Sequence, residues 1–199
     1  MPKGAFAMAD ANVDLYGHAP WLHGYGGRIM DDIQSFNGVP VFYVPEIDQV
    51  AQALVEVRPT VLGTVPRFFE KIYARVMEQG SKTTGLRRRI FEWAIRLAPR
   101  AAEWRMTGRG AGPALRLQWL LADKRVYARI RAGTGGRLRI VSSGGAPLAK
   151  DLAEFFCAIG VPIYQGYGLT ETSPIVTTNY PVNRIGSVGK AIPHVQIRI

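Results

Sequence analysis

Six consecutive residues near the carboxyl end, Gly166-Tyr167-Gly168-Leu169-Thr170-Glu171, combine groups that a phosphorylated ligand needs. Glycines at 166 and 168 let the backbone bend sharply and come close to a bound molecule. Tyr167 offers a ring face on which a flat group can stack. Thr170 can donate a hydrogen bond to a phosphate oxygen. Glu171 is a hard oxygen ligand of the kind Mg2+ takes alongside substrate phosphates. A flat base, a phosphate and a metal together point to a nucleotide. The same residues also compose a strand-to-loop turn carrying a surface Thr-Glu pair, and a lone Gly-x-Gly does not separate the two readings.

The flanking elements narrow the choice. Val161 to Tyr164 is a short apolar run that reads as a buried strand. Leu138 to Val141 reads as another, ending in Ser142-Ser143-Gly144-Gly145-Ala146-Pro147. Between them, Leu148, Leu152, Phe155, Phe156 and Ile159 fall at helical spacing, and Gly160 stops the helix. This β-α-β unit requires parallel strands. The Ser143–Gly145 and Gln165–Glu171 turns then emerge side by side at the strands' carboxyl ends, where open α/β sheets bind ligands. A second β-α-β rhythm lies upstream. Strands at 39–44 and 60–65 flank a helix at 47–57, and Pro66 opens a further helix with Phe68, Phe69, Ile72, Tyr73 and Val76 on one side. The fold class is therefore α/β.

Ser143-Gly-Gly-Ala-Pro-Leu148 followed by Tyr164-Gln-Gly-Tyr-Gly-Leu-Thr-Glu-Thr172 resembles the core of the adenylate-forming superfamily. Arg184-Ile-Gly-Ser-Val-Gly-Lys190 is similar to the segment that follows in acyl-CoA synthetases. Val57 to Tyr73, with Gly63-Thr-Val-Pro-Arg-Phe-Phe-Glu-Lys71 at its centre, resembles the long-chain fatty-acid–CoA ligases in particular. The resemblance covers most of residues 40 to 199. It implies a parallel-sheet β-α-β core belonging to an AMP-binding N-terminal domain, of which residues 1–199 form part. The ribose-binding aspartate and the small lysine-bearing C-terminal domain of such enzymes are absent from this stretch, so the chain is expected to be inactive alone.

The resemblance also implies a reaction. A fatty-acid carboxylate attacks the α-phosphate of ATP, giving acyl-adenylate and pyrophosphate. CoA then takes the acyl group and AMP leaves. In that scheme Thr170 contacts the phosphate and Glu171 helps to hold Mg2+. Tyr167 stacks against adenine. Ser143, Gly144, Gly145 and Ala146 line the base, with Gly145 also on the acyl side. Gln165, Gly166, Gly168 and Leu169 complete the nucleotide turn. No general base is required, because the nucleophile is already a carboxylate and positioning carries the rate. Pro20-Trp21-Leu22-His23 is similar to the family's Leu-Pro-x-x-His segment, which assigns His23 to the acyl region. Pro2-Lys3-Gly4 matches the end of the family's phosphate loop.

Composition sets the outer bounds. The chain has 199 residues, 47% of them apolar, enough for one core. Its one cysteine, Cys157, lies on the apolar side of the helix before Gly160 and reads as a small buried thiol. No signal peptide or bilayer-length apolar run is evident, and a cytoplasmic location is the expectation. The net charge of +10 is concentrated between Arg87 and Arg139. Residues 81–136 read as a basic helical insertion. Arg87, Arg88, Arg89 and Arg96 flank an apolar stripe of Ile90, Trp93, Ala94 and Leu97, and a second helix carries Leu117, Leu120, Leu121, Val126 and Ile130. The arginine face suits either a solvated surface over a packed insertion or peripheral contact with anionic lipid. Nucleic acid is a poor partner, since no recognition motif accompanies the charge. The alternative to the ligase is a non-catalytic nucleotide- or acyl-binding or membrane-surface module.

Overall fold

The computed structural model describes residues 5–8, 41–44, 47–172 and 175–198. The strands are β1 (Ala5–Met8), β2 (Val41–Val44), β3 (Val61–Thr64), β4 (Ile140–Ser143), β5 (Ile163–Tyr167), β6 (Thr177–Thr178) and β7 (Lys190–Ala191). The helices are α1 (Ile47–Val57), α2 (Pro66–Ser81), α3 (Gly85–Thr107), α4 (Pro113–Ala122), α5 (Ala128–Ala132) and α6 (Lys150–Ala158). Among the described residues the strands form one sheet in the order β2-β1-β3-β4-β5-β6-β7. β3, β4 and β5 are parallel, as the β-α-β reading requires. β1 pairs antiparallel with both β2 and β3, so β2 runs in the same direction as β3 with β1 inserted between them. The class is α/β with a parallel centre, and the antiparallel strands lie outside it.

The core forms where the helices cover this centre. Leu62, Val141 and Ile163 occupy neighbouring positions on β3, β4 and β5 and are buried with Phe68, Phe69, Phe155 and Phe156. Pro66 suits the first turn of α2, where no amide bond is lost. That turn brings Phe69 edge-to-face with Phe156 of α6, centroids 5.3 Å apart, and Tyr73 with Phe155 at 4.9 Å.

The helices between β3 and β4 are fastened to the β4-α6-β5 unit. Ala98, Ala101 and Ala102 of α3 are buried against Cys157 and Ala158 of α6. Small side chains on both helices permit this close approach. A helix leaves its last carbonyls without internal donors. Here Trp119 Nε1 of α4 donates to the Ala158 carbonyl at 2.8 Å, and Arg131 Nη1 donates to that of Ile159 at 2.7 Å. Arg131 also forms a forked pair with Asp123. α4 and α5 thus cap the helix that leads through Gly160, at φ +88°, into β5. The apolar stripe of α3 is used in this packing, while Arg87, Arg88, Arg89 and Arg96 stay exposed and Arg88 pairs with Glu92 at 2.8 Å. No helix among the described residues is long and apolar enough to cross a membrane.

Several local expectations need correction. The basic amphipathic pattern reads as a helix over 86–97, but α3 runs on through Pro99 to Thr107, because burial of Ala101 and Ala102 outweighs the amide that proline lacks. Leu117, Leu120 and Leu121, read as apolar positions of one helix with Val126 and Ile130, are 60%, 58% and 49% exposed. The inward side of α4 is instead set by Leu115, Trp119 and Ala122. A π-helical turn at Asp123–Tyr127 then shifts the phase, so that Tyr127 enters the core and its hydroxyl donates to the Ala94 carbonyl at 2.6 Å. The run from Val195 to Ile199 reads as the start of a strand, but residues 195–198 do not form one. Gly189 turns the chain at φ +86°, and Lys190–Ala191 pair with β6 in their place.

Candidate functional site

The three parallel strands end together. Thr64 is the register partner of Ser143, and Ser143 that of Gln165. By strand alternation all three side chains leave the same face of the sheet, the face of Leu62, Val141 and Ile163. Ser143 is 1% exposed and Thr64 9%. Neither hydroxyl has a hydrogen-bond partner among the described residues. Buried hydroxyls are normally paired, and leaving one unpaired costs about 1–3 kcal/mol. Two side by side at a sheet's carboxyl edge form a site whose polar groups are suited to an external partner.

β4 leaves this pair through Gly144 and Gly145. The Gly144 amide donates to the Thr64 carbonyl at 3.3 Å, tying the turn to β3. Gly145 sits at φ +80° with open space where a Cβ would project. The left-handed backbone demands glycine there, and the clear space leaves the turn accessible. Gly145 and Ala146 are exposed.

Gln165, Gly166 and Tyr167 form the end of β5 rather than a free turn, which corrects the boundary expected at Tyr164. The reason lies on the outer side of β5. Gly166 pairs with Thr178, the Val176 amide donates to the Tyr167 carbonyl at 2.8 Å, and the Asn179 amide donates to the Gln165 carbonyl at 3.0 Å. Asn179 in turn organises the following loop. Its Nδ2 donates to the carbonyls of Arg184 at 2.9 Å and Ser187 at 2.6 Å. The Arg184–Lys190 segment therefore braces β5 through β6 and β7.

Beyond β5, Tyr167 is 46% exposed and Leu169 48%, and Glu171 is exposed on a single 3-10 turn at Thr170–Thr172. Thr172 fixes this turn: its Oγ1 accepts from the Leu169 amide and donates to the Leu169 carbonyl, both at 2.9 Å. Ser143, Gly144, Gly145, Ala146 and the 165–171 stretch are thus carried to one edge of the sheet. His23 and Pro2-Lys3-Gly4 lie outside the described residues. The resemblance already sets the Thr64-Val65-Pro66 segment beside the fatty-acid site; the structure adds the pairing of Thr64 with Ser143 and a role for Thr172. Thr64 joins the orphan pair, and Thr172 positions the loop. A hydroxyl at the last residue of a β-branched strand is a further signal for Thr64.

Tyr164 packs edge-to-face on Tyr180 at 5.0 Å, and burial pushes its hydroxyl above the usual tyrosine range. It acts as a structural ring here. For a metal, no cluster of three or more potential ligands occurs among the described residues. The exposed Glu171 carboxylate fits the mode in which Mg2+ takes one or two carboxylates and completes its shell with water and substrate phosphates.

The AMP-binding enzyme family matches residues 11–199, and the chain belongs to that family. Among curated relatives it is 38% identical, over 164 residues, to the long-chain-fatty-acid–CoA ligase FadD15 of Mycobacterium bovis, covering 81% of this chain and 26% of that protein. It is 30% identical, over 199 residues, to the peroxisomal long chain acyl-CoA synthetase 6 of Arabidopsis thaliana, covering 98% of this chain and 27% of that one. The chain therefore spans less than a third of the length of these relatives.

Proposed function

We propose that residues 1–199 belong to a protein that activates a long-chain fatty acid with ATP and passes the acyl group to CoA, a reaction this stretch is not expected to complete alone. The observation that carries this reading is the shared edge. Two unpartnered buried hydroxyls, the open Gly144-Gly145 turn and the Tyr167–Glu171 loop lie at the carboxyl ends of adjacent parallel strands. The relatives' names, which specify long-chain fatty acids and CoA, support the substrate class.

In this scheme the fatty-acid carboxylate oxygen attacks the α-phosphorus of ATP, the bond to the β,γ-phosphates breaks, and pyrophosphate leaves. The CoA thiolate then attacks the acyl carbonyl, and AMP leaves with the bonding electrons. Tyr167 presents its ring to adenine. Thr64, Ser143 and the Gly144-Gly145 turn hold the substrate end nearest the sheet. Thr170, next to Glu171 in the turn, contacts the phosphates. When bound, Mg2+ would be held by Glu171 and would neutralise phosphate charge during transfer. The chain's own contribution is fixed positioning: β6 and the Asn179 loop hold β5 straight, and Thr172 holds the turn that carries Glu171.

The test is calorimetric titration of the chain with a non-hydrolysable palmitoyl-adenylate analogue. Saturable binding is expected, weakened about tenfold or more in Tyr167→Ala, since stacking on an aromatic ring contributes about 1–3 kcal/mol per base. Equal binding by the two proteins would sink the assignment of Tyr167. No binding by a chain that melts cooperatively would remove the site itself.

A further inference from the structure

The helices that cover the sheet carry a second feature. A groove of about 930 Å3 opens between α1, α2, the start of α3 and the π turn with α5. α2 starts where β3 ends, so its far end at Gly80, with Thr83 just beyond it, lies toward the amino ends of the strands. Gly133 and Thr134, also on the groove wall, precede β4. The groove is therefore separated from Ser143 and Tyr167 by the length of the parallel strands. Its volume falls within the range of small-molecule sites, about 300–1,000 Å3.

The lining is chemically one-sided. Arg75, Arg87, Arg125 and Arg129 reach it, and none of its lining residues is acidic. None of these four arginines forms an ion pair with a described residue. Elsewhere the same helices do pair their charges, as Arg88 does with Glu92 and Lys82 with Glu78. The floor is apolar, with Ile72, Val76 and Ile130 half-buried. Four guanidinium groups around one concavity repel each other, and their fork geometry suits phosphate.

A second observation falls on the same wall. The π-helical turn at Asp123–Tyr127 contains Arg125 and immediately precedes the short helix that carries Arg129. Such turns are rare and concentrate at functional sites. Here the extra residue lets Tyr127 enter the core while Arg125 and Val126 line the groove.

We propose that this groove binds a single-chain amphiphile with a phosphate head, its alkyl chain along Ile72, Val76 and Ile130 and its head among Arg75, Arg87, Arg125 and Arg129. The apolar floor distinguishes this ligand from a free phosphate, and the ring of positive charge distinguishes it from a neutral lipid. This site is independent of the nucleotide reading.

The experiment is titration of the full chain with palmitoyl lysophosphatidic acid below its micellar concentration. Saturable one-to-one binding is expected. Arg125→Glu combined with Arg129→Glu should weaken it at least about tenfold, the effect of losing charge-assisted hydrogen bonds. Tyr167→Ala should leave it unchanged. Both arginines are exposed, and the paired Gln substitutions provide a milder variant if charge reversal disturbs the fold. Equal affinity for palmitoyl glycerol would overturn the role of the arginines. Inorganic phosphate binding as tightly as the lipid would overturn the role of the floor. Binding only to anionic vesicles, or no binding, would overturn the groove as a ligand site.

Discussion

Thr64 and Ser143 face each other in register at the ends of β3 and β4, both buried, with neither hydroxyl hydrogen-bonded to a described residue. A structural role and a ligand-binding role predict opposite effects of removing them. Deleting an unsatisfied buried hydroxyl relieves a desolvation cost of about 1–3 kcal/mol. Ser143→Ala and Thr64→Val should therefore leave the urea midpoint unchanged or raise it. Affinity for the palmitoyl-adenylate analogue should fall in the same proteins. A fall in stability for both would show that the hydroxyls already have partners in the folded chain.

How much of this edge is legible in the sequence depends on the residue. Gly145 can be read as a turn glycine, and it sits at φ +80°. The parallel pairing of β4 and β5 follows from the helix between them. The resemblance puts the segment around Thr64 beside the fatty-acid site, but its pairing with Ser143 is not legible, because it comes from register across a crossover that includes all of residues 65–139. The extension of β5 through Tyr167 is also hidden. It depends on antiparallel pairing with Thr177–Thr178: residues 175–178 read as a strand, but nothing in the sequence says that Gly166 and Tyr167 are its partners. The inward side of α4 escapes the sequence for a related reason. Leu117, Leu120 and Leu121 have helical spacing, but Trp119's bond to the Ala158 carbonyl decides which side turns in.

Gly189 tests the brace behind the site. Its backbone is at φ +86°, and a Cβ there would drive into the carbonyl of Thr178, the β6 residue that pairs with Gly166. Gly189→Ala combines a left-handed backbone with a clash against main chain, and should cost on the order of 2–3 kcal/mol in denaturant unfolding. Gly144→Ala has open space and no left-handed backbone at that position, so its cost should be far smaller. Comparable losses in the two would remove the argument that Gly189 is sterically required.

Arg131 tests whether α5 supports the β4-α6-β5 unit. Arg131→Met leaves Asp123 without its forked partner and the Ile159 carbonyl without this donor. The pair is only partly buried, so a loss of about 1–3 kcal/mol is expected. Adding Asp123→Leu should recover part of it, because the uncompensated carboxylate is removed. Strict additivity of the two single losses would mean that the residues do not interact energetically.

Cys157 gives the fold a dependence on alkaline pH whose sign follows from its surroundings. Burial between α3 and α6 pushes the thiol up from 9.0 to about 11, against an opposing effect of the nearby Arg105 charge. The folded chain holds this proton more tightly than the unfolded chain. The thiol's contribution is therefore fully present below pH 9 and is lost as pH rises toward 11. A tenfold difference in proton affinity between the two states corresponds to about 1.4 kcal/mol, so the loss reaches on the order of 2–3 kcal/mol at the upper end. The measurement is the urea midpoint of the chain and of Cys157→Ala between pH 8 and pH 10.5. The chain should lose more stability than the variant over that interval. Its thiol should also react with iodoacetamide far more slowly than a free thiol at pH 8.5, since both the thiolate and access are suppressed. Parallel pH profiles together with rapid alkylation would mean that the thiol is not held in the packed seam between α3 and α6.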